Sequence, residues 1–414
     1  MRRFGLLVLV LVLIYNWHII GTRQAGHGDL GQARGMVTNI VKKKKITNYY
    51  MGKVLSVDFS GKDRGVHIGD RLCVYGKSRD LNDLIIKDFD YGRYLRSRGI
   101  DTYIEVSNLD ISGRSGLYYR IGSLKDYCIG ANKFMYKAYG DILNSIVLGY
   151  RGDLDKDVVY TFRDAGVSHV MSISGLHISI LVGIFLVLVG RINRLDRLDR
   201  LGLLFIGLIF YNILVGGGPS ITRAIGLSVL GALAYFVDRR LDPINILALI
   251  ASIMIYLNPY IIYNISFQLS FLAVLSIVIY SKYLRKYIYF NFLNTCLAAN
   301  ILTFPLVVYN FKTFSMVGLI GNILVLPFIG LIVFLDMISL LLYGISLDLA
   351  LLVAYINEAI LRPLYYYLEK LANYGVYNME VRSMNPLLLL AYYIAVLGLA
   401  IFLEIYYIKV NKTD

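Results

Sequence analysis

The sequence predicts a polytopic α-helical membrane protein of about eight to ten spans, some broken or re-entrant, with a small β-barrel outside the bilayer. Three observations predict it. Of 414 residues, 57% are hydrophobic and only 17% charged, too apolar a mixture to close a water-facing surface over one core. The apolar residues fall in span-length runs, with a formal net charge of +14 concentrated between them. One stretch, Gly21 to Ser112, abandons the runs for short alternating segments. Together these argue against a soluble enzyme. Cys73, Cys128 and Cys296 have neither metal-ligand spacing nor the number a disulfide framework needs, so neither a zinc site nor a disulfide framework is expected; nor is any metal, cofactor or catalytic group assigned.

Residues 1–25 are expected to form an N-terminal membrane anchor. Arg2 and Arg3 precede the apolar Phe4 to Ile20, and flanking positive charge is held on the cytoplasmic side, so the segment should run from inside to outside. A cleaved signal peptide is the alternative, but Arg23 and Ala25 make a poor cleavage site and the apolar run is long. Residues 26–112 follow as the extracellular domain. Gly35 to Val41, Gly52 to Phe59, Val66 to Tyr75 and Thr102 to Val106 are β-branched or alternating stretches punctuated by Gly, Asn and Asp, the pattern of short strands and tight turns. Basic side chains outnumber acidic ones here, and Lys42, Lys43, Lys44 and Lys45 form an unbroken run. Such a run attracts a polyanion; equally, it can be a solvated turn that protects a strand edge.

Residues 113–165 read as an amphipathic helical linker, with Tyr, Ile and Leu at helical spacing among Lys and Asp. It could lie on the bilayer face or be a soluble connecting helix pair. The membrane domain is expected over residues 166–414, with Phe314 to Tyr343 long enough for two passes around Pro327. Arg191 to Arg200, Asp238 to Arg240 and Ser281 to Lys286 are cationic connections that fall on the cytoplasmic side if the barrel is outside.

Polar groups within the spans mark the candidate site. GGGPS at Gly216 to Ser220 breaks a helix, and non-helical backbone at membrane depth is tolerated only against protein or water. Arg223 follows the break, where a cation marks a path or a paired interior site unless it snorkels to the interface. In GVSHVMSISGLHISIL, Ser172 lies on one helical face and Ser174 with His177 on another, which requires surrounding protein or a break near Gly175. Ser174 and His177 could reach one another as in a serine hydrolase, but no third group orients the imidazole. Gln268, Ser270 and Asn322 continue the polar theme, and Asp336 stands alone in LIVFLDMIS. Such groups line a cavity or bond across helices, and amide linings suit a large polar or anionic passenger.

GVSHVMSISGLHISIL (Gly166 to Leu181) resembles the hallmark segment of the ComEC/Rec2 competence family of DNA-uptake channels. In order along the chain, GGGPSITRA, NPYIIYNISFQLSFLAV and GLIGNILVLPFIG are similar to further family segments, and FDYGRYLRSRGIDTYIEV to the end of the family's OB-like extracellular domain. The resemblance implies an inner-membrane channel, multi-pass in the bacterial cytoplasmic membrane, for uptake of transforming DNA during natural competence. It implies a form lacking the C-terminal metallo-β-lactamase-like domain, because the HxHxDH ligand motif does not occur among His18, His27, His67, His169 and His177. The barrel would hold a single strand through Lys42 to Lys45 and through exposed rings such as Tyr49, Tyr50, Phe59 or Tyr75. The path would be lined by Ser172, Ser174, Gly175, His177, Arg223, Gln268, Ser270 and Asn322.

No GxxxxGK[ST] loop occurs, so the chain carries no recognisable ATP motor. The resemblance implies DNA and the lipid bilayer as partners, with an outer DNA receptor, a cytosolic DNA-translocating ATPase and a separate nuclease, and leaves room for a homo-oligomer. The alternative is a small-molecule or lipid-precursor transporter with an exofacial domain, for which GGGPSITRA and GLIGNILVLP are the nearest pair of matching broken helices.

Overall fold

The computed structural model describes residues 4–22, 30–43, 45–86, 89–171, 173, 175–191, 196–236, 242–314, 317–373, 379–380 and 385–410. The chain forms two compact units. One holds residues 1–159, 168–267 and 328–363, the other 160–167, 268–327 and 364–414.

In the first unit a six-stranded sheet is built from β1 (Leu30–Met36), β2 (Asn39–Lys43), β3 (Ile46–Met51), β4 (Val54–Asp58), β5 (Asp70–Arg79) and, beyond the short strands β6 (Ile85–Ile86) and β7 (Phe89–Asp90), β8 (Thr102–Arg114). Its order is β1-β5-β8-β4-β3-β2, antiparallel except for the parallel pair β4 and β8. The two edges are halves of one run. Only Val37 and Thr38 separate β1 from β2, and there the Val37 amide bonds Asp70 O (2.9 Å) while that of Thr38 bonds Tyr50 O (2.8 Å). Alternation decides the packing. Tyr49, with Val37, Leu72, Val74 and Ile104, builds one apolar core, whereas Leu55, Val57 and Tyr103 build another with Leu95 of α2 (Tyr91–Ser97).

Burial puts the Asp58 carboxylate at a disadvantage, but hydrogen bonds from the Ser60 amide (2.8 Å) and Arg64 Nε (3.0 Å) outweigh it and hold the group below its ordinary range. A carboxyl held low stabilises the fold above its ordinary pKa and loses that contribution as pH falls through the lowered value. Asp58→Asn is therefore expected to destabilise the sheet domain by about 1–3 kcal/mol at neutral pH. The difference shrinks as Asp58 itself becomes protonated in the parent protein. Limited proteolysis of the intact protein across a pH series reads both effects.

The helices of this unit begin with α1 (Phe4–Thr22). After the sheet come α3 (Gly116–Tyr136), α4 (Gly140–Leu148) and α5 (Lys156–Asp164), whose last residues belong to the second unit. Then follow α6 (Gly175–Gly190), α7 (Arg197–Val215), α8 (Pro219–Phe236) and α9 (Pro243–Leu257). A 3₁₀ turn, Pro259–Tyr263, leads to α10 (Ile265–Leu284). The α1 and α9 helices lie side by side in the same direction. A Cβ on Gly5 would stand 2.5 Å from Asn245 O, Tyr15 stacks on Tyr256 with centroids 6.3 Å apart, and Asn16 Nδ2 donates to Pro259 O (3.0 Å). Within residues 113–165, α3 and α4 pack into the unit. Within α4 only Asp141 is not fully buried, and α3 buries Asn132 and Tyr136.

Four helices among the described residues are long and apolar enough to cross a membrane: Leu198–Val215, Ile265–Leu284, Asn291–Phe311 and Ile320–Tyr343. Gly5–Trp17, Pro243–Leu257 and Pro386–Phe402 are shorter apolar helices. These lengths are consistent with a membrane protein. The two passes anticipated around Pro327 are a single helix, α12 (Gly318–Tyr343), because a proline removes one backbone donor without ending a helix whose surroundings support it. Sequence reading missed α13 (Leu347–Asn373), where Asp348, Glu358, Arg362, Glu369 and Lys370 dilute the apolar signal.

The second unit uses its polar groups to join helices. Between α11 (Asn291–Phe311) and α14 (Pro386–Val410), the Tyr392 and Tyr393 hydroxyls donate to Ile301 O and Leu302 O, each at 2.9 Å. Tyr280 of α10 donates to Val396 O (2.8 Å), Lys282 pairs with Glu404, and Asn294 Nδ2 donates to Ser281 O (3.0 Å). Strands β9 (Thr313–Phe314) and β10 (Met379–Glu380) add a short antiparallel pair.

Candidate functional site

The chain breaks between α7 and α8 as the glycines dictate. Gly216, Gly217 and Gly218 have φ of +91°, +68° and +156°, and Pro219 starts the next helix. The Gly216 and Gly217 amides fold back onto Asn212 O at 3.2 and 2.9 Å. Beyond its left-handed backbone, Gly216 touches the sheet domain: a Cβ there would stand 2.8 Å from Asn39 Nδ2 of β2. A glycine is thus required both by the turn and by the strand lying on it.

Inside the break, Arg223 is 7% exposed on α8. Its Nη2 lies 3.6 Å from where a Cβ of Gly175 would stand, so the guanidinium faces the first residue of α6. The missing side chain at Gly175 leaves that room. Ahead of α6, Ser168–Met171 form a 3₁₀ turn, held by α4 and the loop after it. Arg151 Nη2 donates to Met171 O (2.7 Å) and Ser145 Oγ to the same carbonyl (3.4 Å). The His177 side chain, 1% exposed, hydrogen-bonds the Ile146 backbone, and Tyr211 of α7 donates to Val147 O (2.9 Å). The imidazole is engaged with backbone, which fits an anchor of the α6 start better than a proton carrier. Sequence reading missed Arg151 because nothing in GYRGDLDKD distinguishes it from a solvated loop cation.

The first unit thus brings Gly175, His177 and Arg223 together. Ser172 and Ser174 lie outside the described residues. Gln268, Ser270 and Asn322 belong to the second unit, each half-buried.

On the sheet domain, Lys42 is exposed and its Nζ is 3.0 Å from Asp63 Oδ2; that hydrogen bond holds the Asp63 carboxyl below its ordinary range. Lys45 is exposed in the β2–β3 turn, while the Lys43 side chain and Lys44 lie outside the described residues. Tyr49 is a correction. Its ring is 2% exposed in the core, where burial pushes the hydroxyl up to about 12, so it offers no face to a ligand. Inward alternation on β3 is the cause, and it turns Tyr50 to the other side, half-buried beneath the Arg98 guanidinium at 5.1 Å. Phe59 and Tyr75 are exposed.

A second seam holds this domain to the helices. Asn258 Nδ2 donates to Arg96 O (3.0 Å) and Ser97 O (3.2 Å), and Asn264 Nδ2 to Ser97 Oγ (3.2 Å). Arg93 lies 5.1 Å over the Tyr263 ring and Arg96 5.5 Å over that of Tyr260. The NPYIIYN segment therefore grips α2, a use that residue types alone did not disclose.

Residues 146–405 match the family model described as Competence protein. ComE operon protein 3 of Bacillus subtilis (strain 168) is 27% identical over 245 residues, 58% of this chain and 31% of that protein. An uncharacterized protein of Aquifex aeolicus (strain VF5) is 29% identical over 166 residues, covering 39% of this chain and 38% of that one. The chain thus aligns with about a third of each relative's length. No solved structure matches significantly.

Proposed function

The chain belongs to the Competence protein family, and from that premise we propose that it conducts transforming DNA, as a single strand, across the cytoplasmic membrane of a competent bacterium. The sheet domain lies on the outer face and holds the strand, and the membrane helices, eight to ten in all, form the channel. It acts as a conduit and not as an enzyme. The observation that carries this reading is a basic sheet domain seated on the α7–α8 break, with Asn39 against Gly216 and a buried Arg223 facing Gly175 beyond it.

Two further features support it. The run Leu30–Lys43 reaches both ends of the strand order and β4 runs parallel to β8, the pairing that would curl the sheet into an OB-like barrel. Arg2 and Arg3 precede α1, Asp238 to Arg240 precede α9, and the two helices run in one direction. Cationic ends held inside carry both helices outward, so the turn after α9 that grips α2 is extracellular. An outer receptor delivers the DNA, a separate nuclease leaves one strand, and a cytosolic ATPase draws it through.

The test is binding of a labelled single-stranded oligonucleotide to the full chain in lipid nanodiscs across a salt series. Affinity is expected to fall steeply with salt. Replacing Lys42 to Lys45 with Ala should flatten the log–log slope by roughly 0.7 for each phosphate that the variant no longer neutralises. In a deletion strain, the restored gene should return labelled DNA to the cytosol. Absence of both, with import of a small solute instead, favours the transporter.

A further inference from the structure

Three helices of the first unit enclose a polar cluster that the DNA path does not use: Asn132 and Tyr136 on α3, Asp336 and Ser339 on α12, and Asn357 on α13. None is more than 1% exposed. Asn132 Nδ2 donates to Asp336 Oδ2 (3.3 Å), Tyr136 OH and Ser339 Oγ share a hydrogen bond of 3.0 Å, and Ser339 Oγ lies 2.9 Å from Asp336 O. Asn357 Nδ2 donates to Tyr136 OH and to Ile332 O, both at 3.1 Å.

Those bonds leave acceptors without donors. Asp336 Oδ1, Asn132 Oδ1 and Asn357 Oδ1 are buried with no hydrogen-bond partner. Rotating the amides does not help. Turning Asn357 would set its oxygen against Ile332 O, and turning Asn132 would set its oxygen against the carboxylate. A proton on Asp336 would supply one donor for a cluster with three unpartnered acceptors and leave at least one amide oxygen orphaned. Asn132 and Tyr136 hydrogen-bond the Asp336 carboxylate, and Cys128 and Tyr211 face it from neighbouring elements; none of the four is cationic.

We propose that this cluster is a binding site for one dehydrated alkali-metal cation. Three side-chain oxygens from three helices are the hard ligands such an ion takes, and one carboxylate balances a single positive charge in a place where a net charge would be costly. A transition metal would want softer company; among the described residues no group of three His, Cys, Asp or Glu could hold one. The cation ties α3 to α12 and α13, and the site goes beyond the DNA reading because it needs only these residues.

Sodium ions are the probe. The full chain, in detergent or nanodiscs, is melted in sodium, potassium, lithium and choline chloride at equal ionic strength, and ²²Na⁺ binding is counted. A saturable rise in Tm with an alkali cation over choline is expected, with about one ion bound per chain. Asp336→Asn, nearly isosteric, should abolish both while keeping a monodisperse elution profile, and Asn132→Ala and Asn357→Ala should weaken both. Equal melting in all four salts, or a cation response that survives in Asp336→Asn, overturns the proposal. So does a melting point that follows pH but not the cation, which would make the occupant a proton.

Discussion

Arg223→Ala is expected to cut transformation by roughly 10- to 100-fold while the protein remains in the membrane at its usual amount. Arg223 is buried one turn beyond a helix break, and its guanidinium faces Gly175 at the start of α6, where no side chain intrudes. Keeping a cation there is costly unless anions or fixed dipoles offset it. A passing phosphodiester is one such anion, and a hydrogen bond to a charged group contributes about 1.5–3 kcal/mol, which sets the expected fold-change. Arg223→Lys keeps the charge and should recover part of the activity; Arg223→Gln keeps the polarity alone and should not. If Arg223 served packing only, Lys would fail as badly as Ala, and losses of transformation would follow losses of protein. Transformation frequency normalised to membrane protein, across the three variants, separates the two outcomes.

The legible parts of the fold were those set by local pattern. Strand periodicity located β4 and parts of β1, β2, β5 and β8 but passed over β3, the three glycines located the α7–α8 break, and two-faced polarity around Gly175 located the helix start. Long-range partnership was not legible. Tyr49 and Tyr50 are adjacent aromatics of one strand, yet alternation sends the first into the core and leaves the second half-buried under Arg98. Asp336 stands out in the sequence as a lone charge, but its companions lie on α3, whose mixed composition resembles a linker, and on α13, whose charged residues mask it. Hydropathy reports how a segment meets lipid and says little of what it meets inside the protein. Asn258 and Asn264 illustrate the same limit: nothing in the sequence distinguishes these amides from others beside a span until α2 is seen against them.

That seam leads to the second large effect. Asn258 and Asn264 each do two jobs. Asn258 Oδ1 accepts from the Tyr260 amide (3.1 Å) and Asn264 Oδ1 from the Ser266 amide (3.0 Å), capping the 3₁₀ turn and α10, while their amide nitrogens hold Arg96, Ser97 and thereby α2. Losing a cap costs about 0.5–2 kcal/mol and each hydrogen bond about 0.5–1.5. The pair Asn258→Ala with Asn264→Ala should therefore weaken the attachment of the sheet domain by several kcal/mol, since Ser97 Oγ and two carbonyls lose their donors as well. The apolar cores of the sheet are untouched, so nucleic-acid binding should persist at near-normal affinity. Transformation should fall below detection, and protease cleavage around residues 96–99 should accelerate, because a strand held by a domain no longer seated over the break has no route inward. Asn258→Asp would keep the cap and lose two of the three donor bonds, so its uptake should fall toward that of the double variant while its helices stay intact. Normal uptake in the double variant would mean that the domain's position over the helices does not matter, and the coupling between capture and passage would have to lie elsewhere.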